Sequence, residues 1–417
     1  MQKINLFTYI NNISDKLYIL IDQSIVSLGN FLLTILILKF LGIKSYGIFS
    51  FFWLTILFIN STQLSFLIYP MMTNSSKQKI GELDLFYGSI FIHQVAFTIV
   101  VLFLVFLALN CIQIILGELT IKIFYLPFIC SIFFTQIYQF FRRLLLNKKN
   151  FLWAICSDFT VFSSLIVAII YLNYLEKLNL ENIIWTFAFS FSLGLIICSP
   201  IIINFKITTI SIVKIFKENY KIGKWLLLTS ILQWIYGNLW VVNAGIILGA
   251  FTLGVIRACQ TLIGVTNLFF QSIENLIPAQ TSKIYINEGK KGMKIYLRSF
   301  TYKGLIISIF MTITITIFSK LIIGFVYGDE IVDFYYYLIL FSLMLPVTFF
   351  QYPSIYGLRT LGKTRPIFLS YLASSIFALI ASSTVINNYG LSGFFIGLFT
   401  SQIIVTGSIY LNFRKIF

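Results

Sequence analysis

LGIKSYGIFS at residues 41–50 and LGAFTLGVIR at residues 248–257 share the pattern L-G-x-x-x-(Y/L)-G. The two copies stand 207 residues apart, about half of the 417-residue chain. Each lies between two long apolar runs, closing the first run of a set of six and opening the second. Pro70 and Pro278 follow at nearly the same offset and are expected to end the second helix of each set. Arg143 in RLLLNKKN and Arg359 in RTLGKTRP then begin similar basic connections between the fourth and fifth runs. The spacing predicts a duplication into two six-helix bundles, residues 1–210 and 211–417. Bundles of parallel topology are related by an axis along the membrane normal, with substrate sites near the midplane at the repeat interface.

Composition places these runs in a membrane. The chain is 59% hydrophobic with a mean hydropathy of +0.92, and only 11% of its residues are charged, which excludes an ordinary soluble domain. Twelve runs are long enough to cross as helices. They are roughly 17–39, 47–72, 85–109, 121–141, 151–173, 182–205, 222–248, 250–280, 299–323, 333–357, 366–386 and 391–412. The fold class is therefore all-α, a polytopic membrane protein of about twelve transmembrane helices. The net charge of +16 is a topology signal. With the N-terminus inside and the sides alternating, 23 of the 30 Lys and Arg residues fall on the cytoplasmic side. Both termini are then cytoplasmic, and nucleic acid is not a partner. No cleavable signal peptide is visible in the first sixteen residues. Residues 206–224, FKITTISIVKIFKENYKIGK with its neighbour, set five lysines among apolar residues and suit a helix lying on anionic membrane lipids; a solvated linker is the alternative.

Function is read from polar residues inside the spans. Arg257, Gln260, Gly264, Asn267, Gln271 and Glu274 are spaced 3, 4, 3, 4 and 3 apart, one face of an α-helix. That stripe is roughly 25 Å long, and it must look at a watery path or at other polar helices, because lipid does not solvate it. The seventh span adds Gln233, Trp234, Tyr236, Asn238, Trp240 and Asn243. In the first span Gln23, Ser27, Asn30 and Thr34 supply an opposite wall. Asp22 and Asp158 are read either as partners of the nearby basic loops or as carriers of a coupling proton, and Glu274 either as a coupling group or as a snorkelling residue. The five cysteines lack metal or disulfide spacing, and His93 is read as a hydrogen-bonded residue between helices. No metal, cofactor or catalytic residue is expected, and no phosphate-binding loop of an ATPase is present.

The LGIKSYGIFS turn, the FRRLLLNKKN loop and the run LRTLGKTRPIF…NNYGLSGFFIGL resemble those of polysaccharide flippases of the O-antigen and capsule type. These belong to the multidrug/oligosaccharidyl-lipid/polysaccharide (MOP) superfamily. The resemblance spans nearly the whole chain, but its motifs are short and glycine-based, so it points to the superfamily more sharply than to the substrate. It implies a two-lobed, MATE-like carrier in the bacterial inner membrane. Such a carrier is not an enzyme. It turns undecaprenyl-pyrophosphate-linked oligosaccharide repeat units from the cytoplasmic to the periplasmic leaflet during O-antigen, lipopolysaccharide or capsule biosynthesis. The implied partners are the lipid-linked oligosaccharide, a polysaccharide polymerase and a chain-length regulator.

On that reading Arg257 grips the pyrophosphate, since a guanidinium stays charged and offers paired donors. Gln260, Asn267, Gln271, Gln233, Asn238, Gln23 and Asn30 meet sugar hydroxyls. Two other readings stay open: a small-molecule or drug exporter of the same superfamily, and a polymerase or membrane glycosyltransferase. The first favours an acidic cavity, whereas this one is led by Arg257. The second needs a large external loop, and the outer connections here are short.

Overall fold

The structure is a computed structural model that describes residues 6–116, 123–200 and 205–416. Among the described residues every regular element is helical. Twelve helical segments follow. The long helix Leu6–Gln63 breaks at Gly42, giving α1 (6–41) and α2, which runs on from 43 through a π-turn at Leu64–Ile68 to Ser75. Next come α3 (Leu83–Leu116), α4 (Tyr125–Asn147), α5 (Phe151–Tyr174), α6 (Leu180–Cys198) and α7 (Thr209–Leu248). α8 is built in two pieces, Ala250–Gly264 and 267–288, and α9 (290–327) follows a break at Gly289. α10 (Tyr335–Thr360), α11 (365–389) and α12 (391–414) complete the chain, the last two divided at Gly390.

The two copies of the glycine motif share one backbone conformation. Gly42 has φ 75° and ψ 169°, and Gly249, its counterpart 207 residues on, has φ 90° and ψ 169°. Only glycine adopts that conformation without steric cost, which is why each copy of the motif carries it. The ends of α4 and α10 also match. Lys149 and Gly362 both take positive φ, and each is followed by a bond reaching five residues back, Asn150 N–H to Leu145 O and Lys363 N–H to Leu358 O. That pairing sets the local offset at 213, three residues from the register that RLLLNKKN and RTLGKTRP suggest.

Four expectations need correction. Arg142 and Arg143 are not loop residues, because α4 continues to Asn147 and carries both within its last turns. Neither Pro70 nor Pro278 ends a helix. Pro278 lies inside the second piece of α8, and Pro70 follows the π-turn and is itself helical. Pro70 has no N–H for the Phe66 carbonyl, and the widened turn absorbs the misfit. The Phe66 carbonyl faces Gly223, where an added Cβ would lie 2.6 Å away. Last, the stripe from Arg257 to Glu274 does not run along one unbroken helix. Val265 N–H and Thr266 N–H bond to carbonyls three residues back, and Phe269 N–H does the same. This overwound stretch turns each residue by about 120° instead of 100°, so the residues beyond it leave the line of Arg257 and Gln260.

The chain divides into two compact units. The first is Met1–Leu41 with Phe52–Ser230, and the second is Gly42–Phe51 with Ile231–Phe417. In the first unit Ile56 and Ile59 of α2 pack with Leu109, Phe128, Ile132 and Ile184. Much of α3 faces outward: only 11% of its most apolar window is buried, with Ile99, Val100, Phe103 and Leu104 all exposed. Hydrophobic residues on the outside of a helical unit are what lipid contact requires.

The 206–224 region is helical from Thr209 and continues unbroken into the seventh span. Its inner face repeats every four residues at Ser211, Ile215, Asn219 and Gly223. Ser211 pairs with Ser89 at 2.8 Å, and Asn219 accepts from Asn74 at 2.7 Å. His93 Nε2 meets the Ile212 carbonyl at 3.0 Å, the hydrogen-bonded role read from its solitary position. Lys214, Lys217, Lys221 and Lys224 are on the exposed side, beside exposed Val213, Phe216, Tyr220 and Trp225.

In the second unit the two glycine motifs touch each other. A Cβ on Gly47 would lie 1.7 Å from the Ala250 carbonyl oxygen, and one on Gly254 would lie 2.3 Å from that of Ile43. Gly47 and Gly254 are 207 apart, and so are Ile43 and Ala250. The contact is therefore reciprocal, as a two-fold relation between the copies demands.

Candidate functional site

Arg257 sits in the first piece of α8, eight residues past the Gly249 turn and hence about 12 Å along the helix. It is half-buried. One Nη1 donates to Gln260 Oε1 at 2.9 Å, while the buried Nε has no partner. Among the described residues the only ion pairs are those made by Arg142, so no carboxylate neutralises Arg257 by contact. A membrane-embedded guanidinium held by one amide, with a buried donor left over, is costly for a purely structural residue. The equivalent position in the first repeat is Ser50, which is buried and bonded to its own helix at the Tyr46 carbonyl.

The other residues read from the sequence fall into distinct roles. Gln260 is part-buried and serves Arg257. Asn267, beyond the overwound turn, is exposed. The side chains of Gln271 and Glu274 lie outside the described residues. On α7 Gln233 is exposed, and Asn238 is part-buried with its Nδ2 on the Trp234 carbonyl at 3.3 Å. α7 and α8 meet at Gly249, with Asn238 and Gln260 each eleven residues from it, about 16 Å along their helices. Those two amides therefore share a depth with Arg257 to within one turn.

The remaining polar residues of α7 bind helices together instead. Tyr236 donates to Gln402, Trp240 Nε1 to Ser401 Oγ at 2.8 Å, and Asn243 Nδ2 to Ser382 Oγ at 2.6 Å.

The first unit contains a second buried charge cluster. Arg142 of α4 reaches two carboxylates, Asp158 of α5 through Nε at 2.6 Å and Asp22 of α1 through Nη2 at 2.5 Å. All three side chains are at most 3% exposed. Tyr138, one turn before Arg142, donates to the other oxygen of Asp158. Asp22 Oδ1 is buried and has no donor. Thus Asp22 and Asp158, each read separately as a coupling candidate or a partner of basic loops, share one helical arginine. Groups in contact carry two carboxylates against one guanidinium, and the spare oxygen of Asp22 is where a proton would be held. Gln23 is half-buried beside Asp22, and Asn30 bonds to its own helix at the Val26 carbonyl, 2.8 Å away.

Sequence reading missed Arg142 as a core cation, and it missed the amide network beside it. Gln136 Nε2 donates to Asn60 Oδ1 at 2.5 Å, and Gln63 Nε2 donates to the Gln136 carbonyl at 2.6 Å. A signal was present: Gln136, Gln139 and Arg143 on α4 are spaced 3 and 4 apart, and Asn60 and Gln63 on α2 are spaced 3. Among the described residues no group of three or more His, Cys, Asp or Glu could hold a metal ion.

Comparison with known proteins agrees with this architecture. The MatE family model matches residues 226–384. No curated protein matches the chain. Among solved structures, an inward-facing multidrug resistance MATE family transporter of the MOP superfamily is similar with a TM-score of 0.76 at 12% identity, over 95% of this chain and 97% of that one. A MOP superfamily transporter from Pyrococcus furiosus, described by the reversed polarity of its binding pocket, gives 0.67 at 13% identity over 96% and 93%. The lipid II flippase MurJ, in an inward closed conformation, gives 0.66 at 16% identity over 96% and 87%. The chain therefore has the all-helical fold seen in these MOP-superfamily transporters, and the match to the MatE family model lies within it, across residues 226–384.

Proposed function

We propose that this protein is a flippase for polyprenyl-diphosphate-linked oligosaccharides of the O-antigen or capsule type. It moves them from the cytoplasmic to the periplasmic leaflet of the inner membrane by alternating exposure of its site to the two faces. The observation that carries this reading is Arg257: a membrane-embedded guanidinium with a buried, unpartnered Nε and no carboxylate in contact among the described residues. Such a group suits an anion that arrives with the substrate, and a diphosphate matches its paired donors. Gln260 and Asn238 at the same depth suit sugar hydroxyls, with Gln233 and Asn267 exposed nearby in sequence. The likeness to a lipid II flippase is consistent with a lipid-linked cargo. The exposed lysines of 209–224 suit anionic lipids at the inner surface.

Replacing Arg257 with Ala is expected to stop export, so that lipid-linked repeat units accumulate on the inner leaflet. Normal surface glycan at normal protein level would sink the assignment.

A second reading, a small-molecule exporter of the same superfamily, is supported by the likeness to a multidrug resistance MATE family transporter. The Asp22–Arg142–Asp158 cluster suits a coupling proton with either cargo and does not separate the two. Sensitivity to cationic drugs on deletion, with surface glycan unchanged, would select the exporter. For either cargo the Asp22→Asn variant is expected to lose pH-dependent transport, and unchanged pH dependence would retire the coupling role.

A further inference from the structure

The first unit has an open, polar cavity of about 270 Å³ between α2 and α4. Asn60, Ser61 and Gln63 line it from α2, and Gln139 and Arg143 line it from α4. Its remaining wall includes Leu64 and Ile68, the two ends of the π-turn. That turn is the local consequence of Pro70, and π-turns inside α-helices recur at functional sites.

The charge state of this cavity is unlike that of the triad beside it. Arg142 is saturated by Asp22 and Asp158, whereas among the described residues Arg143 makes no hydrogen bond or ion pair and no carboxylate lines the cavity. Gln139 likewise has no hydrogen-bond partner there. Asn60 uses its carbonyl to accept from Gln136, which leaves its NH2 for a ligand. The free groups are the Arg143 guanidinium, the Asn60 NH2 and the whole Gln139 amide, so donors outnumber acceptors and the charge on the described lining is positive. Donors without an anion, in a membrane protein, describe an anion site. The volume lies just below the range of ordinary small-molecule pockets, so it admits a phosphate or diphosphate headgroup and excludes an oligosaccharide. Arg143 is four residues from the end of α4, about 6 Å, where Lys148 and Lys149 follow.

We propose that this pocket is a second phosphate-binding site, in which Arg143, Gln139 and Asn60 hold the diphosphate of the lipid-linked substrate. The proposal rests on the flippase reading for the identity of the cargo, but its chemistry, a diphosphate on a guanidinium and amides, is independent of Arg257. Each unit then has one arginine that makes no ion pair among the described residues, Arg143 in the first and Arg257 in the second.

The test is binding of farnesyl diphosphate to the full-length protein in nanodiscs of zwitterionic lipid. Farnesol serves as the uncharged control and inorganic pyrophosphate as the soluble competitor. Arg143→Gln is expected to weaken farnesyl diphosphate binding at least about tenfold, as loss of a charge-assisted contact does. Arg143→Lys should recover part of it, and Gln139→Leu should weaken it less. Competition by pyrophosphate at similar concentration would identify a free diphosphate as an equal ligand of the same pocket, and failure to compete would identify the lipid-borne group. Unchanged affinity in both Arg143→Gln and Gln139→Leu, with folded protein by gel filtration, overturns the site. Arg257→Gln runs in parallel: loss of binding there alone would leave the flippase reading intact while refuting the pocket. Loss in Arg143→Gln with normal surface glycan in Arg257→Ala cells would do the reverse.

Discussion

Removing the Arg142 guanidinium while leaving its two carboxylates should be the most damaging single change in the first unit. Arg142→Met keeps length and apolar bulk but strands Asp22 and Asp158, both 1% exposed, without a counter-charge. Breaking a buried pair in this way costs about 3–5 kcal/mol. At about 2–4 °C per kcal/mol for a unit of this size, the melting transition should fall by roughly 6–20 °C. Asp22→Asn behaves differently. It leaves Arg142 balanced by Asp158 at 2.6 Å, and the asparagine oxygen can still accept from Nη2, so the cost should stay near about 1 kcal/mol. The triple variant Arg142→Met, Asp22→Asn, Asp158→Asn removes the charges together and should recover most of the loss, because a buried ionic group replaced by neutral residues of similar volume is often tolerated. The assay is thermal unfolding of purified protein in one detergent, followed by tryptophan fluorescence and by retention on gel filtration. An Arg142→Met transition within about 2 °C of the parent, or a triple variant no more stable than the single, would refute the charge accounting.

Other expectations follow from single contacts. Gly47→Leu and Gly254→Leu force a side chain against a backbone carbonyl 1.7 or 2.3 Å from the new Cβ and should each cost about 1–3 kcal/mol, whereas Gly237→Ala meets nothing within 4 Å and should be neutral or stabilising; paired melting curves decide. His93→Ala removes the bond to the Ile212 carbonyl and should loosen 209–224, read as faster amide exchange in that helix and not in α5; equal exchange would contradict the contact. Arg257→Lys keeps the charge but loses the fork, so export should be partial, between the parent and Arg257→Ala; full activity would argue against paired donors at that site.

Much of the fold was legible in the sequence because its evidence is local or periodic. Long apolar runs mark helices, and a glycine motif recurs at an offset of 207 residues. The structure gives the two glycines of that motif the same backbone conformation, which is why the pattern survives. What escaped was long-range or conformational. Asp22 and Arg142 are 120 residues apart and meet only through the packing of α1 on α4 and α5, so each was readable as a candidate and the triad was not. Gly264 was counted as one more member of a polar stripe, but it ends the first piece of α8, and the overwound turn after it shifts Asn267 off the line. Pro70 signals a helix end by rule, yet one extra residue in the preceding turn lets the helix continue. At the candidate site the polar residues of α7 looked alike in sequence. Tyr236, Trp240 and Asn243 turned out to face partner helices, and Asn238 did not.

The central claim is that Arg257 holds the diphosphate of a lipid-linked oligosaccharide during its passage across the membrane. It is tested most directly in proteoliposomes of purified protein, loaded with a fluorescent polyprenyl-diphosphate oligosaccharide and quenched from outside. The parent protein should make the inner-leaflet pool accessible to quencher, and Arg257→Ala at equal reconstitution should not. Equal accessibility with the two proteins, or none with the parent under an imposed proton gradient, would contradict the account.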